Sequence, residues 1–247
     1  MTMRLDSYLA SCGLARSRTH AKRLIEEGFV TINGAVADKC ARETSGNEKI
    51  VVLPNDFARF VGRGGLKLDY ALEYFGIDVT GAVAADIGAG TGGFTDCLIK
   101  RGAAKVYAIE NGHGQLDKTL YEDSRVVSVE NYNARLMKPS DFSENFGLAV
   151  MDVSFISQSL IYPALKSVLK PGAALVSLIK PQFEAGREYL SKAGIIKNPA
   201  VYPHVISALG EKAAKSGFSL CGTVRSPICG GDGSGNIEFL GLFRLMA

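Results

Sequence analysis

Asp86-Ile87-Gly88-Ala89-Gly90-Thr91-Gly92-Gly93-Phe94 follows the apolar run Val83-Ala84-Ala85 and leads into a segment of helical apolar spacing that reaches Arg101. Glycine lets a backbone turn tightly and approach a ligand closely. A strand, a glycine loop and a helix in that order belong to parallel-sheet folds, whose ligands sit at the carboxyl ends of the strands. A Gly-x-Gly-x-Gly spacing also suits a ligand-free turn, so the flanking sequence has to decide. Further short apolar runs follow at 106–109, 126–129, 148–151 and 174–179. After the run at 148–151 a helix is expected through Leu160 and Leu169, and another over roughly 200–216. Two late strands, 218–224 and 237–245, are joined by the loop Gly230-Gly231-Asp232-Gly233-Ser234-Gly235. Near-continuous apolar strands separated by helices predict an α/β domain, Rossmann-like, with a mostly parallel sheet covered on both faces.

The residues around the loop narrow its ligand. Asp86 ends the first strand, and Glu110 ends the second, where a carboxylate can accept both hydroxyls of a ribose. A dinucleotide would place its pyrophosphate on the helix N-terminus. Phe94 and Thr95 stand there instead, without the Gly-x-x-Gly spacing. The pattern favours S-adenosylmethionine, its amino-acid end on the loop backbone at Gly88 and Gly90 and its adenosine at Glu110. Asn131 and Asn133, beyond the third strand, either reach the adenine or serve as ordinary turn residues.

Four charged residues fall where such folds carry chemistry. Lys67 lies in the first turn of a helix beginning Gly64-Gly65-Leu66, Asp152 ends the fourth strand, Lys180 ends the fifth before Pro181, and Glu238 interrupts the last apolar run. Charges at buried strand ends are costly unless paired. Two lysines and two carboxylates can pair with one another, whether as unrelated salt bridges or as a site. Methyl transfer to a ribose 2′-hydroxyl needs that hydroxyl to lose its proton, which a lysine can assist by accepting it or by stabilising the alkoxide. Carboxylates would orient the lysines. No metal is expected: His20, His113 and His204 are far apart, and Cys12, Cys40, Cys97, Cys221 and Cys229 form no Cys-x-x-Cys pair.

The first sixty residues read differently. Leu5, Tyr8 and Leu9 predict a short helix broken at Cys12-Gly13. Ser17 is placed to cap a second helix with the stripe Ala21, Leu24 and Ile25, which Gly28 stops. Residues 29–32 and 35–36 flank Asn33-Gly34, a type I′ hairpin signal, and 50–53 is a further strand before the linker Pro54-Asn55-Asp56. Arg4, Arg16, Arg18, Lys22 and Arg23 face only Asp6 in the first 25 residues. Such a cluster suits RNA phosphates, though a solvated helix surface would look the same. The run Arg4-Leu5-Asp6-x-x-Leu9, then Ser17-Arg18-x-x-Ala21-x-x-Leu24-Ile25-x-x-Gly28-x-Val30-x-Ile32-Asn33-Gly34, resembles the S4 RNA-binding domain. This resemblance implies docking on structured RNA.

The larger part resembles the TlyA (hemolysin A) type of protein, an S4 domain joined to an FtsJ-like RNA 2′-O-methyltransferase domain of the class I methyltransferase fold. The matching stretches are Arg63-Gly64-Gly65-Leu66-Lys67-Leu68, residues 86–98, Asp152-Val153-Ser154-Phe155-Ile156-Ser157, Lys180-Pro181-Gln182-Phe183-Glu184-Ala185-Gly186 and Gly235-Asn236-Ile237-Glu238-Phe239. The resemblance implies a catalytic tetrad of Lys67, Asp152, Lys180 and Glu238. It implies a cofactor site of Asp86, Gly88, Ala89, Gly90, Thr91, Gly92, Gly93, Phe94, Glu110, Asn111, Asn133 and Asp152, with Arg63 joining the RNA contacts. Gly90 stands where serine is more usual, Glu110-Asn111 where aspartate and a small apolar residue are, and Lys192-Ala193-Gly194 is looser than the family form. The implied substrate is ribosomal RNA or a ribosomal subunit, methylated at a cytidine 2′-hydroxyl. Domains are expected at 1–59 and 60–247, with a linker near 54–62.

Composition sets the outer bounds. With 247 residues, 47% of them apolar, and a net charge of only +3, the chain can bury a proper core and is no generic polycation. No apolar run spans a bilayer and no secretory signal opens the chain, so a cytoplasmic protein is expected. The competing readings are an RNA- or ribosome-binding assembly factor with a vestigial pocket, a lytic hemolysin, and a base N-methyltransferase. The last usually offers a polar-Pro-Pro-aromatic motif where this chain has Asp152-Val153-Ser154-Phe155.

Overall fold

Apolar residues at helical spacing draw the N-terminal segment together. β1 (Met3–Arg4) runs into α1 (Leu5–Ser11), and α2 (Arg18–Glu26) follows. Leu5, Leu9, Ala21, Leu24 and Ile25 share one core and are almost fully buried. Ser17 caps α2 as expected: its Oγ accepts the His20 N–H at 3.1 Å and its carbonyl the Ala21 N–H at 2.8 Å. β2 (Val30–Ile32) and β3 (Ala35–Val36) pair across Asn33-Gly34, whose φ angles of 52° and 85° are those a type I′ turn demands. β4 (Glu43–Thr44) pairs with β1, an association the sequence did not suggest, and β5 (Ile50–Val52) pairs with the other edge of β2.

This computed structural model describes residues 2–26, 29–37, 39–52, 59–228 and 236–246, and its contacts divide the chain into units Met1–Val61 and Gly62–Ala247. Gly28, the end of the strand at Leu53, the linker Pro54-Asn55-Asp56 and the loop 230–235 lie outside the described residues.

The second unit opens with α3 (Gly64–Tyr74), then alternates β6 (Val83–Ile87), α4 (Gly93–Lys100), β7 (Lys105–Ile109), α5 (Lys118–Tyr121), β8 (Val126–Val129) and β9 (Phe146–Met151). After them come α6 (Tyr162–Val168), β10 (Leu169–Ile179), α7 (Pro181–Glu184), α8 (Tyr202–Lys215), β11 (Phe218–Arg225) and β12 (Phe239–Leu245). The sheet has seven strands among the described residues, in the order β11-β12-β10-β9-β6-β7-β8. β8, β7, β6, β9 and β10 run parallel, and β12 is antiparallel to both β10 and β11. The mostly parallel α/β architecture is therefore as expected. Its central strands are apolar on both faces, with Ala84, Ala85, Ala149, Val150, Leu175 and Val176 all shielded from water.

Some boundaries differ from the sequence reading. The expected helix through Leu160 and Leu169 is a 3-10 turn (Gln158–Leu160) followed by α6, and Leu169 already belongs to β10. Pairing of β10 with β9 is interrupted between Leu169 and Ala174, where Pro171 lacks a donor and Gly172 takes φ 74°. Glu238 does not interrupt the last strand but precedes it, since β12 starts at Phe239.

One buried amide ties the centre together. Gln158, 2% exposed, donates from Nε2 to the Leu178 carbonyl at 2.6 Å, while its Oε1 accepts Ser177 Oγ at 2.7 Å and Tyr162 Oη at 3.2 Å. Gln158→Leu keeps the bulk and strands those three groups. It should lower stability by about 2–4 kcal/mol in chemical denaturation, because buried polar groups left unpaired carry the full desolvation penalty.

Candidate active site

The glycine loop is where three pieces of backbone meet. A Cβ on Gly88 would collide with the Asp152 carbonyl oxygen, so the end of β6 and the end of β9 touch through backbone alone. A Cβ on Gly93 would stand 3.0 Å from the Gly65 nitrogen and 3.2 Å from the Gly62 carbonyl oxygen, so the start of α3 lies directly on the start of α4. Gly90 is different: nothing stands within 4 Å of where its Cβ would be. Its N–H donates to Glu110 Oε2 at 2.9 Å, and Gly112 N–H donates to Oε1 at 2.8 Å. Glu110 thus holds the loop against the turn that follows β7. Each carboxylate oxygen keeps a second lone pair for a ligand.

A cavity of about 640 Å³ opens at this end of the sheet, lined by Gly88, Gly90, Glu110, Asn111, Asn133, Asp152 and Lys180 among others. Of the cofactor residues expected from sequence, Asp86, Ala89, Thr91, Gly92, Gly93 and Phe94 do not line it. Asp86, Gly93 and Phe94 are buried beneath the loop instead. Asn133 lines the cavity and caps the next 3-10 turn, its Oδ1 accepting Arg135 N–H at 3.1 Å, which leaves its amide nitrogen for a ligand. Asn131 is a turn residue with φ 54° and is not part of the lining.

The four charged residues come together as two ion pairs. Lys180 Nζ lies 2.5 Å from Asp152 Oδ1 and donates to Ser154 Oγ at 2.8 Å, on the cavity wall. Lys67 pairs with Glu238; both are at most 6% exposed, and neither lines the cavity. Sheet register explains the convergence. Ile179 stands opposite Phe239 in the antiparallel β10–β12 pairing, so one step further sets Lys180 opposite Glu238. The Ser226 N–H still reaches the Glu238 carbonyl at 2.9 Å, continuing the β11–β12 ladder by one residue. Arg63 immediately precedes α3.

The sequence reading gave Phe155 no role. It is 91% exposed, holds φ 64°, lines the cavity and lies against Phe183 with ring centroids 5.2 Å apart. A bulky residue at positive φ is strained, and such strain gathers at functional sites. The signal available was a large aromatic residue between Ser154 and Ser157, just beyond the end of an apolar strand. Ser154 and Glu184 were also missed as supports. Glu184 accepts Ser157 Oγ at 2.6 Å and the Gln158 N–H at 2.9 Å, anchoring the far end of that stretch.

In the first unit, Arg4 and Arg18 both reach the carboxylate of Asp6, and Lys22 faces Glu26 at 3.6 Å. Among the described residues no helix is long and apolar enough to cross a membrane, and no group of three or more His, Cys, Asp or Glu side chains could hold a metal ion.

Comparison with known proteins places these features in context. Residues 60–243 match the FtsJ-like methyltransferase family and residues 3–43 the S4 domain. YqxC of Bacillus subtilis, which carries the name of an rRNA methyltransferase, is 44% identical over 96% of this chain and 84% of its own. The 16S/23S rRNA (cytidine-2′-O)-methyltransferase TlyA of Mycobacterium tuberculosis is 40% identical over 96% of this chain and 87% of its own. A solved structure from Streptococcus thermophilus, described as a hemolysin, superposes with a TM-score of 0.79 at 41% identity, covering 99% of this chain and 89% of that one.

Asp86 makes the electrostatics of the loop testable. It is fully buried, its Oδ2 accepts Thr95 Oγ1 at 2.6 Å, and its Oδ1 has no hydrogen-bond partner. Burial, against the Thr95 hydrogen bond and with the Asp152 charge, pushes its pKa up to about 7 from 3.8. A carboxyl whose folded pKa is raised binds its proton more tightly in the folded state, so stability falls as pH rises from 3.8 to about 7. Asp86→Asn should remove that dependence. Denaturation at a series of pH values should show the variant gaining on wild type by a few kcal/mol across this window and holding its lead above it.

Proposed function

The chain belongs to the FtsJ-like methyltransferase family and carries an S4 domain ahead of the catalytic one, and on that premise we propose that it methylates the ribose 2′-hydroxyl of a cytidine in ribosomal RNA, using S-adenosylmethionine, in the cytoplasm. The observation that carries this reading is the meeting of the glycine loop, Glu110 and the Lys180–Asp152 pair on one cavity. Its volume suits a small-molecule cofactor. The residues present fit that group: Glu110 can accept ribose hydroxyls, and Gly90 on the cavity wall faces open space that a ligand's amino-acid end can enter. When bound, S-adenosylmethionine supplies a methyl group on a sulfonium.

The chain's own residues then have distinct tasks. Lys180, as the neutral amine left once its ammonium has released a proton to solvent, takes the proton of the 2′-hydroxyl, while Asp152 and Ser154 hold its Nζ in place. Lys67 and Glu238 form a buried ion pair that sets the local field and supports the ribose site, with Glu238 one step beyond Phe239, the register partner of Ile179. Phe155 offers an exposed ring on which an unstacked base can lie. The S4 domain docks RNA through Arg4, Arg16, Arg18, Lys22 and Arg23, with Arg63 ahead of α3 adding a further contact. The name of the tuberculosis relative supports the substrate assignment.

Two measurements test the reading. Glu110→Ala should weaken S-adenosylmethionine binding in calorimetry, and unchanged affinity would remove the ribose contact. Lys180→Ala should cost on the order of 10²–10⁴-fold in single-turnover methylation of ribosomal RNA, with cofactor and RNA affinity near wild type. Lys180→Arg should not rescue it, because a guanidinium does not give up its proton at neutral pH. An arginine variant with near wild-type rate would reduce Lys180 to a fixed cation.

A further inference from the structure

Asp6 is a buried carboxylate surrounded by donors. Oδ1 accepts Arg4 Nε at 3.0 Å, the Ser7 N–H at 2.8 Å and Ser7 Oγ at 3.2 Å. Oδ2 accepts Arg4 Nη2 at 2.8 Å and Arg18 Nη2 at 3.3 Å. Two guanidinium groups, one ahead of α1 and one at the first residue of α2, therefore converge on a single oxygen. Both stay wet: the side chains of Arg4 and Arg18 are 49% and 61% exposed, against 5% for Asp6. The backbone beneath is fixed as well, with Leu5 N–H on the Arg42 carbonyl at 2.7 Å and Asp6 N–H on the Cys40 carbonyl at 3.2 Å.

We propose that Asp6 is a positioning residue that holds Arg4 and Arg18 side by side as one grip on an RNA phosphate. The inference rests on the RNA-docking role given above to the S4 domain. Two neighbouring guanidinium groups repel each other. One carboxylate between them offsets that repulsion and leaves a net charge of +1 on the trio. Arg4 turns its Nε–Nη2 edge to Asp6 and Arg18 gives one Nη2, so most of the five N–H donors on each remain for a ligand. Phosphate, with several acceptor oxygens, is the chemistry that two adjacent guanidinium forks recognise. The Arg4 guanidinium also holds the Asp6 carboxyl far below the usual carboxylate range, which favours its charged form between the two arginines.

The alternative is that Asp6 only neutralises surface charge, and the two ideas predict opposite signs. Binding of the full chain to a fluorescein-labelled RNA hairpin is measured by anisotropy across a salt series. Arg4→Ala and Arg18→Ala should each weaken binding and lower the salt slope by about one; if neither does, the docking role itself fails. With that role intact, Asp6→Asn should weaken binding on the order of tenfold, although it makes the domain more positive. The Arg4 and Arg18 effects should be non-additive in wild type and additive in Asp6→Asn. Unchanged or tighter binding by Asp6→Asn would overturn the proposal. If Asp6→Asn lowers the melting temperature, Arg4→Lys serves instead: it keeps the charge and loses the two-pronged contact. Weakened binding by Arg4→Lys supports the grip, and wild-type binding overturns it.

Discussion

Backbone-to-backbone contact at the glycine loop sets the geometry of the catalytic domain. Gly88 lies against the Asp152 carbonyl, and Gly93 lies against Gly65 and Gly62. Neither position has room for a methyl group. The first contact fixes where β9 ends, and so where Asp152 and its partner Lys180 stand. The second fixes the start of α3, and so the root of Lys67. Three of the four charged residues are thus located by two places where side chains are excluded. Glycines of a cofactor loop are commonly read as making way for a ligand. In this loop Gly88 and Gly93 first make way for other parts of the chain, and Gly90 alone of these three faces open space.

The two ion pairs differ in kind. Lys67 and Glu238 are shut away from water, where each charge depends on the other because an isolated buried ion is too costly to keep. Lys180 and Asp152 are partly open, on the wall of the cavity, and Lys180 has a second partner in Ser154. A group that must exchange a proton with a substrate needs that access, and a group that shapes a field does not. Burial therefore distinguishes two pairs that residue type alone leaves equivalent.

Much of this was legible in the sequence because the signals were local. The apolar runs marked the parallel strands, Asn33-Gly34 marked its turn, and Ser17 marked its cap. Asp152 and Lys180 could be picked out at the ends of apolar runs, but that the four charged residues would meet as two ion pairs could not be read from their positions. What stayed hidden depends on contacts distant in sequence. The pairing of Met3 and Arg4 with residues forty positions away has no periodic signature, and neither does the bridging role of Gln158. Phe155 was visible as a letter but not as an exposed ring, because an aromatic residue beside an apolar strand is ordinarily core. Asp6 counted as one negative charge among several positive ones, and only its burial between two arginines reveals what it touches. The start of β12 was misplaced by one or two residues because Ile237-Glu238-Phe239 continues the strand's alternation, while the described sheet pairing of β12 with β10 begins at Phe239.

The order of strands has a consequence for how the protein is made. β12 lies inside the sheet, between β10 and β11, yet it is translated after both. A growing chain on the ribosome can build β6 to β10 and bring Lys67 to its place, but the carboxylate that balances Lys67 has still to be synthesised. Until Glu238 emerges, that lysine must remain solvated, and the edge of β10 must stay open. A chain that stops short of Glu238 lacks both the interior strand and the counter-charge. The interior of the sheet is thus completed by a strand that comes later in the chain than both of its neighbours.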